Sequence, residues 1–174
     1  MRDGDSLSYR KCMANYLRNN MWLTARHCVS PDGSTNGFVQ VGDDSKYALQ
    51  NVYIPNEGVD LALVETSPVG ELQGFELPSR RLNLGEIAYL AQYNRDYPYF
   101  ESVPVTVTKY LDDHSFPIAE GKSETVRYSG LYEAESVTDS QPCIGDSGGA
   151  IFVGKSIYAI HTGGGKAVGV LKLR

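Results

Sequence analysis

Cys143-Ile-Gly-Asp-Ser-Gly-Gly-Ala150 is the stretch of sequence that decides the fold, because it sets a serine among closely spaced glycines. A serine hydroxyl is an effective nucleophile only when a base takes its proton and donors stabilise the negative charge that forms. Glycines beside Ser147 let the backbone turn sharply, so the N–H groups of Gly145 and Ser147 can point at one developing oxyanion. An ordinary polar turn is the alternative interpretation of this string taken alone.

Two other segments supply partners for this serine. Trp22-Leu-Thr-Ala-Arg-His-Cys28 is an apolar run that ends in a histidine, and Val59-Asp-Leu-Ala-Leu-Val64 has an aspartate at the start of a strand-like run. The chain order His27, Asp60, Ser147 is one of those in which Ser-His-Asp triads occur. The three residues also have ordinary interpretations, as a core histidine, a strand-edge carboxylate and a turn serine. Those interpretations would all have to hold at once.

The three strings resemble the active-site signatures of chymotrypsin-like serine proteases. They read Thr24-Ala-Arg-His-Cys28, Asp60-Leu-Ala-Leu63 and Gly145-Asp-Ser-Gly-Gly149, and the resemblance extends from Cys12 to about Gly169. It implies an all-β fold of two antiparallel six-stranded β-barrels, with the active site in the cleft between them. It also implies a serine endopeptidase that forms an acyl-enzyme and needs no cofactor. We expect no metal site, because the three widely separated histidines offer no ligand-spacing motif.

Strand signals dominate the chain, and no stretch of about 12 residues shows helical periodicity. Many short strands bounded by turn residues are typical of barrels and sandwiches. The predicted strands are Phe38–Val41, Leu61–Val64, Ile87–Leu90, Val103–Thr108, Val126–Tyr128, Ala150–Val153, Ile157–Ile160 and Val168–Leu171. We expect an N-terminal barrel over residues 1–66, a linker rich in proline and glycine over 67–84, and a C-terminal barrel over 85–174.

Composition excludes several other classes of function. The 174 residues are 41% hydrophobic with a net charge of −5, enough for one globular unit or two small ones. No run approaches the roughly 18 apolar residues of a membrane span. Lys and Arg are not clustered, apart from Arg80-Arg81, so binding to nucleic acid has little support. The expected partner is a peptide or polyprotein substrate, and oligomeric state is left open.

Three cysteines give an odd count. The resemblance implies a disulfide between Cys12 and Cys28, and two buried reduced thiols are the alternative. Cys143 has no later cysteine in this sequence to pair with, so we expect either a free thiol near the substrate pocket or a pairing with a cysteine outside this sequence. The chain also lacks the Ile-Val-Gly-Gly start of trypsin-like zymogens, whose freed N-terminus pairs with the residue equivalent to Asp146. We therefore expect Asp146 to have another partner and the enzyme to be active without that processing.

The substrate pocket is expected to lie between the residues just before Ser147 and the strand after it. Gln141 stands six positions before the serine, where trypsin-like enzymes have an aspartate. His161 and the small residues after it resemble the pocket strand of bacterial glutamyl endopeptidases and of viral 3C-like proteases. The resemblance implies that His161 donates to a Glu or Gln side chain, with Thr162, Gly163 and Gly164 pairing with extended substrate. A core histidine on a barrel strand is the alternative for His161. His114 is interpreted as a surface-loop residue.

These observations favour a viral protease that processes polyproteins after Glu or Gln, acting in the host cytoplasm or at replication membranes. A secreted glutamyl endopeptidase is the second hypothesis, which a disulfide between Cys12 and Cys28 would favour. The third is a catalytically inactive homologue that uses the same fold as a binding module.

Overall fold

The computed structural model describes residues 12–42, 45–55, 58–93, 100–117, 123, 125–139, 145–163 and 166–169. Apart from one short 3-10 turn at Arg26–Cys28, the regular structure in these ranges is β-strand, so the all-β class is confirmed. The strands are β1 (Asn15–Arg18), β2 (Met21–Thr24), β3 (Phe38–Val41), β4 (Ser45–Tyr53), β5 (Ala62–Thr66), β6 (Ile87–Tyr93), β7 (Phe100–Pro117), β8 (Thr125–Ser136), β9 (Ala150–Val153), β10 (Ser156–Gly163) and β11 (Lys166–Gly169).

The first five strands form one antiparallel sheet with the order β1-β2-β5-β4-β3. Asn19 and Asn20 connect β1 to β2 with positive φ angles of 51° and 61°. Two successive left-handed residues make the tight turn that matches the twist of a hairpin, and asparagine tolerates this conformation better than most residues. Trp22 on β2 then donates from its indole nitrogen to the hydroxyl of Thr66 on β5, at 3.1 Å. This buried hydrogen bond ties the two central strands together.

The last six strands close into a barrel with the order β10-β11-β8-β7-β6-β9. Along β6 exposed and buried residues alternate, with Ala88 and Leu90 facing the interior. Such alternation is what a strand with one buried face requires. One core cluster fills this barrel, while a second joins Leu23 of β2 and Leu61, just before β5, to Ile160 of β10. Apolar packing therefore holds the two sheets together.

Each of the eight predicted strands overlaps an observed one, but β1, β2 and β4 were not predicted. Lysine, glutamine and asparagine interrupt the apolar pattern of β4, which pairs with β3 on one side and β5 on the other. The predicted chymotrypsin-like arrangement is confirmed. The closed six-stranded barrel is the C-terminal one, while the N-terminal unit is a curled five-stranded sheet over the described residues. The boundaries of the two units stay a prediction.

The segment predicted as a linker touches both units. Phe75 donates its N–H to the carbonyl of Tyr16 on β1, and Glu76 makes a parallel bridge with Ser156 on β10. A side chain on Gly74 would lie 1.6 Å from the carbonyl oxygen of Leu17, so only glycine permits this close approach. Backbone contacts thus fix the path between the two sheets.

The outer part of the β7–β8 hairpin contacts the connection between β4 and β5 of the first sheet. The N–H of Ser129 donates to the carbonyl of Gly58 at 2.8 Å, and its hydroxyl lies 3.2 Å from the same oxygen. His114, interpreted as a loop residue, lies in this hairpin opposite Tyr128 because β7 extends to Pro117. The described part of the chain has no helix with the length and apolar character of a membrane span.

Candidate active site

His27 and Asp60 form a doubly hydrogen-bonded pair. The imidazole Nδ1 lies 2.8 Å from Asp60 Oδ2, and the backbone N–H of His27 donates to Asp60 Oδ1 at 2.9 Å. An ionised carboxylate only accepts hydrogen bonds, so Nδ1 carries a proton and Nε2 is the ring nitrogen left as an acceptor. Asp60 is fully buried, whereas the His27 side chain is 34% exposed. A buried carboxylate thus orients a histidine that solvent or a substrate can reach.

Two successive peptide units follow the Cα of Ser147, and in each of them both the carbonyl and the N–H group are hydrogen-bonded. In the first unit, the carbonyl of Ser147 accepts from the N–H of Met13 at 2.7 Å, and the N–H of Gly148 donates to the carbonyl of His161 at 2.9 Å. In the second, the carbonyl of Gly148 accepts from the Asn15 amide at 2.6 Å, and the N–H of Gly149 donates to Asp146. Ser147 therefore starts a fixed stretch of backbone.

Glycine is required at both positions after the serine. Gly148 has a φ of +86°, and a Cβ there would lie 2.1 Å from the carbonyl oxygen of Met13. A Cβ on Gly149 would lie 2.4 Å from the carbonyl oxygen of Ala91. Real Cβ atoms do not approach backbone oxygens this closely, so the two glycines let the segment before β1 and strand β6 reach the loop. Gly145 also has a positive φ of 110°.

A short segment at Cys12–Asn15 connects the histidine side of the site to the serine side. Cys12 is bonded to Cys28, directly after His27, so the disulfide implied by the resemblance is present. The Asn15 amide donates to Leu23 on β2 at 3.0 Å as well as to Gly148. Asn15 is not among the site residues predicted from the sequence. In the sequence Asn15 is simply a polar residue close to Cys12, and many exposed residues have the same character.

Asp146 has the alternative partner that the sequence led us to expect. Its Oδ1 accepts the N–H of Tyr93, at the end of β6, over 2.9 Å. Asp146 is 2% exposed and Tyr93 is an exposed residue, so this hydrogen bond is partly buried. The residue before the serine is thereby linked to the wall of the C-terminal barrel.

His161 and Thr162 are both buried on β10, beside the serine loop. His161 bonds this loop through its backbone, with its N–H donating to Gly149 and its carbonyl accepting from Gly148. Burial lowers the pKa of His161 to about 4 against a usual 6.5, partly offset by the negative charge of Asp146. The charge of His27 lowers the pKa further, and that of Asp60 raises it. The imidazole is therefore neutral at pH 7.

The other predicted pocket residues are placed only in part. Gly163 ends β10 with a φ of 158° and pairs with Lys166 across the hairpin, at a register shift. Gln141, Gly164 and Cys143 lie outside the described residues. The structure thus brings together His27 with Asp60, and Ser147 with His161, while the catalytic and binding roles of these residues stay predictions.

One group of potential metal ligands occurs among the described residues. Ligand atoms of Cys12, His27 and Cys28 lie within 4.8 Å of one another. The two sulfurs are joined in the disulfide, and Nδ1 of His27 is engaged by Asp60. A zinc site of this kind needs thiolates, and sulfurs joined in a disulfide are not thiolates, so this donor set does not fit a metal ion.

A protein-family model and several solved structures are similar to this chain. The family model described as Trypsin matches residues 4–171, nearly the whole chain. No curated protein matches. Kallikrein-related peptidase 10 is 17% identical with a TM-score of 0.70, over 97% of this chain and 88% of that chain.

Two bacterial structures are also similar. The MamO protease domain from Magnetospirillum magneticum is 15% identical with a TM-score of 0.70, over 98% of this chain and 89% of that one. An inactive form of the protease Rv3671c, a protein from M. tuberculosis, is 18% identical with a TM-score of 0.68, covering 94% and 82% respectively. At these identities the similarity shows the fold alone.

Proposed function

This chain belongs to the trypsin family of serine proteases, and from that premise we propose that it cleaves proteins internally through Ser147, His27 and Asp60. The observation that carries the proposal is the double hydrogen bond between His27 and the buried Asp60. It leaves Nε2 as the acceptor that a serine nucleophile requires. The family match shows a protease of this type, while the residue roles and the substrate belong to the proposal.

The mechanism follows from that geometry. Ser147 Oγ attacks the carbonyl carbon of the scissile bond as its proton passes to Nε2 of His27, and the carbonyl oxygen becomes an oxyanion. Asp60 stabilises the imidazolium that results. The N–H groups of Gly145 and Ser147 receive the oxyanion, since the amides of Gly148 and Gly149 are already bonded to His161 and Asp146. His27 then gives its proton to the leaving amine, and water hydrolyses the acyl-enzyme.

The proposed specificity is for Glu or Gln before the cleaved bond. Buried His161 supports it, because a neutral imidazole offers one N–H to the side-chain oxygen of either residue. A site built to hydrogen-bond a side chain rejects an apolar one strongly, because its own polar group would otherwise be left unpaired. Gly163, together with Thr162, Gly164 and Gln141, is proposed to complete the walls and the backbone contacts of this site.

Two biological settings fit this specificity. Processing of a viral polyprotein in the host cytoplasm or at replication membranes is one, and digestion by a secreted glutamyl endopeptidase is the other. The bond between Cys12 and Cys28 favours the secreted enzyme, since disulfides form and persist in oxidising compartments. Preparing the protein from its native source under thiol-trapping conditions tests this choice. Free thiols at both cysteines would favour the cytoplasmic setting.

The experiment that tests the proposed function is cleavage of a peptide library varied at the residue before the scissile bond. We expect cuts after Gln or Glu that disappear in Ser147→Ala. His161→Leu should lower the preference for Gln and Glu by about a hundredfold or more. His114→Leu, at the other described histidine outside the proposed triad, should leave that preference unchanged.

Other outcomes of this experiment separate the hypotheses. Cuts after Lys, Arg or large aromatic residues would retain the protease and remove the assignment of His161. If a fluorophosphonate fails to label Ser147 and no peptide is cut, the results would favour the third hypothesis, an inactive homologue that acts as a binding module, over the active protease.

A further inference from the structure

Within the described part of the chain, four hydrogen bonds hold the two peptide units that follow Ser147, and one of the four comes from a side chain. Three are made by backbone groups of Met13, His161 and Asp146. The fourth is the 2.6 Å bond from the Asn15 amide to the carbonyl of Gly148. Substitution of Asn15 can remove this last bond without removing a backbone group, so the effect of the side-chain bond can be tested apart from the three backbone bonds.

The Asn15 side chain is buried in the protein interior. The residue is 6% exposed, and Nδ2 uses both of its hydrogens, one on Gly148 and one on Leu23 at 3.0 Å. Leu23 is the residue opposite Asn15 in the β1–β2 pairing, and β2 ends at Thr24, just before the turn that contains His27. One amide group thus joins the strand leading to the proposed base with the backbone following the proposed nucleophile.

Neighbouring contacts also connect the two sides of the site. Thr24 donates from its hydroxyl to the carbonyl of Met13 at 2.7 Å, while the N–H of Met13 donates to the carbonyl of Ser147. The disulfide anchors Cys12 beside His27. Residues 12–15 therefore act as a strap between the two sides of the site, and Asn15 provides its side-chain hydrogen bond to Gly148.

We infer that Asn15 is a positioning residue that sets the distance and orientation of Ser147 relative to His27 by bonding Gly148 and Leu23 together. The inference rests on the proposed triad. Nucleophilic attack depends on placement to within a fraction of an ångström, and a displacement of about 1 Å can cost about a hundredfold in rate. Asn15 touches neither the substrate nor the reacting atoms, so its effect passes through Ser147.

The first test is the rate at which a fluorophosphonate labels Ser147, together with kcat and KM on a cleaved peptide. Asn15→Ala leaves two buried carbonyls with one donor fewer each, and we expect labelling and kcat to fall by about tenfold to a hundredfold with KM unchanged. The matched control is Asn51→Ala. Asn51 also donates from its side-chain amide, to Glu65 at 2.7 Å, but on the exposed side of the same sheet. This control should label at the wild-type rate.

The second test uses Asn15→Asp, which changes charge and donor count with almost no change in shape. An ionised carboxylate has no hydrogen to donate and would face two carbonyl oxygens, whereas the protonated acid can donate to one. The labelling rate relative to wild type should therefore rise as pH is lowered. A role in stability alone would give no trend, because the rates refer to folded protein. Each variant is assayed below its own unfolding midpoint, so that the rates refer to folded protein.

The outcomes separate this inference from the function on which it rests. Absence of labelling in the wild type, or cleavage by Ser147→Ala, overturns the proposed triad. With a labelled wild type, Asn15→Ala labelling at the wild-type rate, or a loss confined to KM, overturns the role of Asn15 alone. An equal loss in Asn51→Ala would also overturn it, since any disturbance of the sheet would then have the same effect.

Discussion

Gly148 lies so close to Met13 that a Cβ at this position would be 2.1 Å from the Met13 carbonyl oxygen. The contact joins the loop of the C-terminal barrel to the segment that precedes β1 of the N-terminal sheet. It arises because the N–H of Met13 is bonded to the carbonyl of Ser147, the residue just before. The glycine after the serine is thus a requirement of packing between the two units as well as of the turn.

Gly148→Ala is therefore expected to remove activity. The new methyl group would meet backbone rather than a flexible side chain, and the positive φ adds strain, so we expect a loss of at least about a hundredfold in labelling of Ser147. Gly70→Ala is the matched control, because Gly70 has open space around it. It should change neither the labelling rate nor the melting temperature. Equal labelling of the two variants would contradict the proposed packing of the loop.

Tyr128 is expected to support Asp60 from the β7–β8 hairpin. Its ring is 5% exposed in the cluster that contains Val59 and Leu61, the two neighbours of Asp60. Burial, and then the charge of Asp60, raises the pKa of Tyr128 to about 12, so the hydroxyl stays neutral.

Removing this ring is expected to affect stability and catalysis together. Tyr128→Ala should lower the free energy of unfolding by about 3 kcal/mol or more and reduce kcat, because the segment that holds Asp60 loses its packing. Tyr89→Ala, on an exposed ring of β6, should change both much less. The measurements are urea unfolding and peptide hydrolysis. An unchanged kcat in folded Tyr128→Ala would show that the hairpin does not position Asp60.

His161 is expected to make the protein less stable in acid. Its pKa is about 4 in the folded protein and near 6.5 when unfolded, so between these values the unfolded chain binds more protons. Stability contributed by the neutral imidazole is full above about pH 6.5 and is lost as pH falls toward 4, by up to about 3 kcal/mol. Urea unfolding from pH 4 to 7 measures this slope. His161→Gln should flatten it, and an identical slope in the variant would contradict the assignment.

The disulfide between Cys12 and Cys28 should contribute a measurable part of the stability. It closes a loop with a sequence separation of 16, for which restriction of the unfolded chain is worth about 3 kcal/mol. Replacing both cysteines by serine should lower the free energy of unfolding by about that amount. Adding a reductant should destabilise the wild type and have no effect on the double variant. A wild type that is insensitive to reductant under unfolding conditions would show that the bond is absent.

The sequence by itself determined the class of fold and the residues of the proposed triad. Turn residues between short β-branched runs predict strands, because strand side chains alternate at a period of two along the chain. The loop around Ser147 can be recognised in the sequence by its glycines, because no other residue fits the backbone there. Sequence did less well with β4, whose polar residues hide the pattern, and with the length of the β7–β8 hairpin.

Only the tertiary structure decided the contacts between segments far apart in the chain. The bond from Asn15 to Gly148 spans 133 positions, and nothing near Asn15 in the sequence marks it as different from an exposed asparagine. The same holds for Tyr93, whose N–H is bonded to Asp146. The role of a hydrogen-bond donor depends on which acceptor the fold places beside it. The local sequence specifies the donor, whereas the packing of the two sheets determines the acceptor.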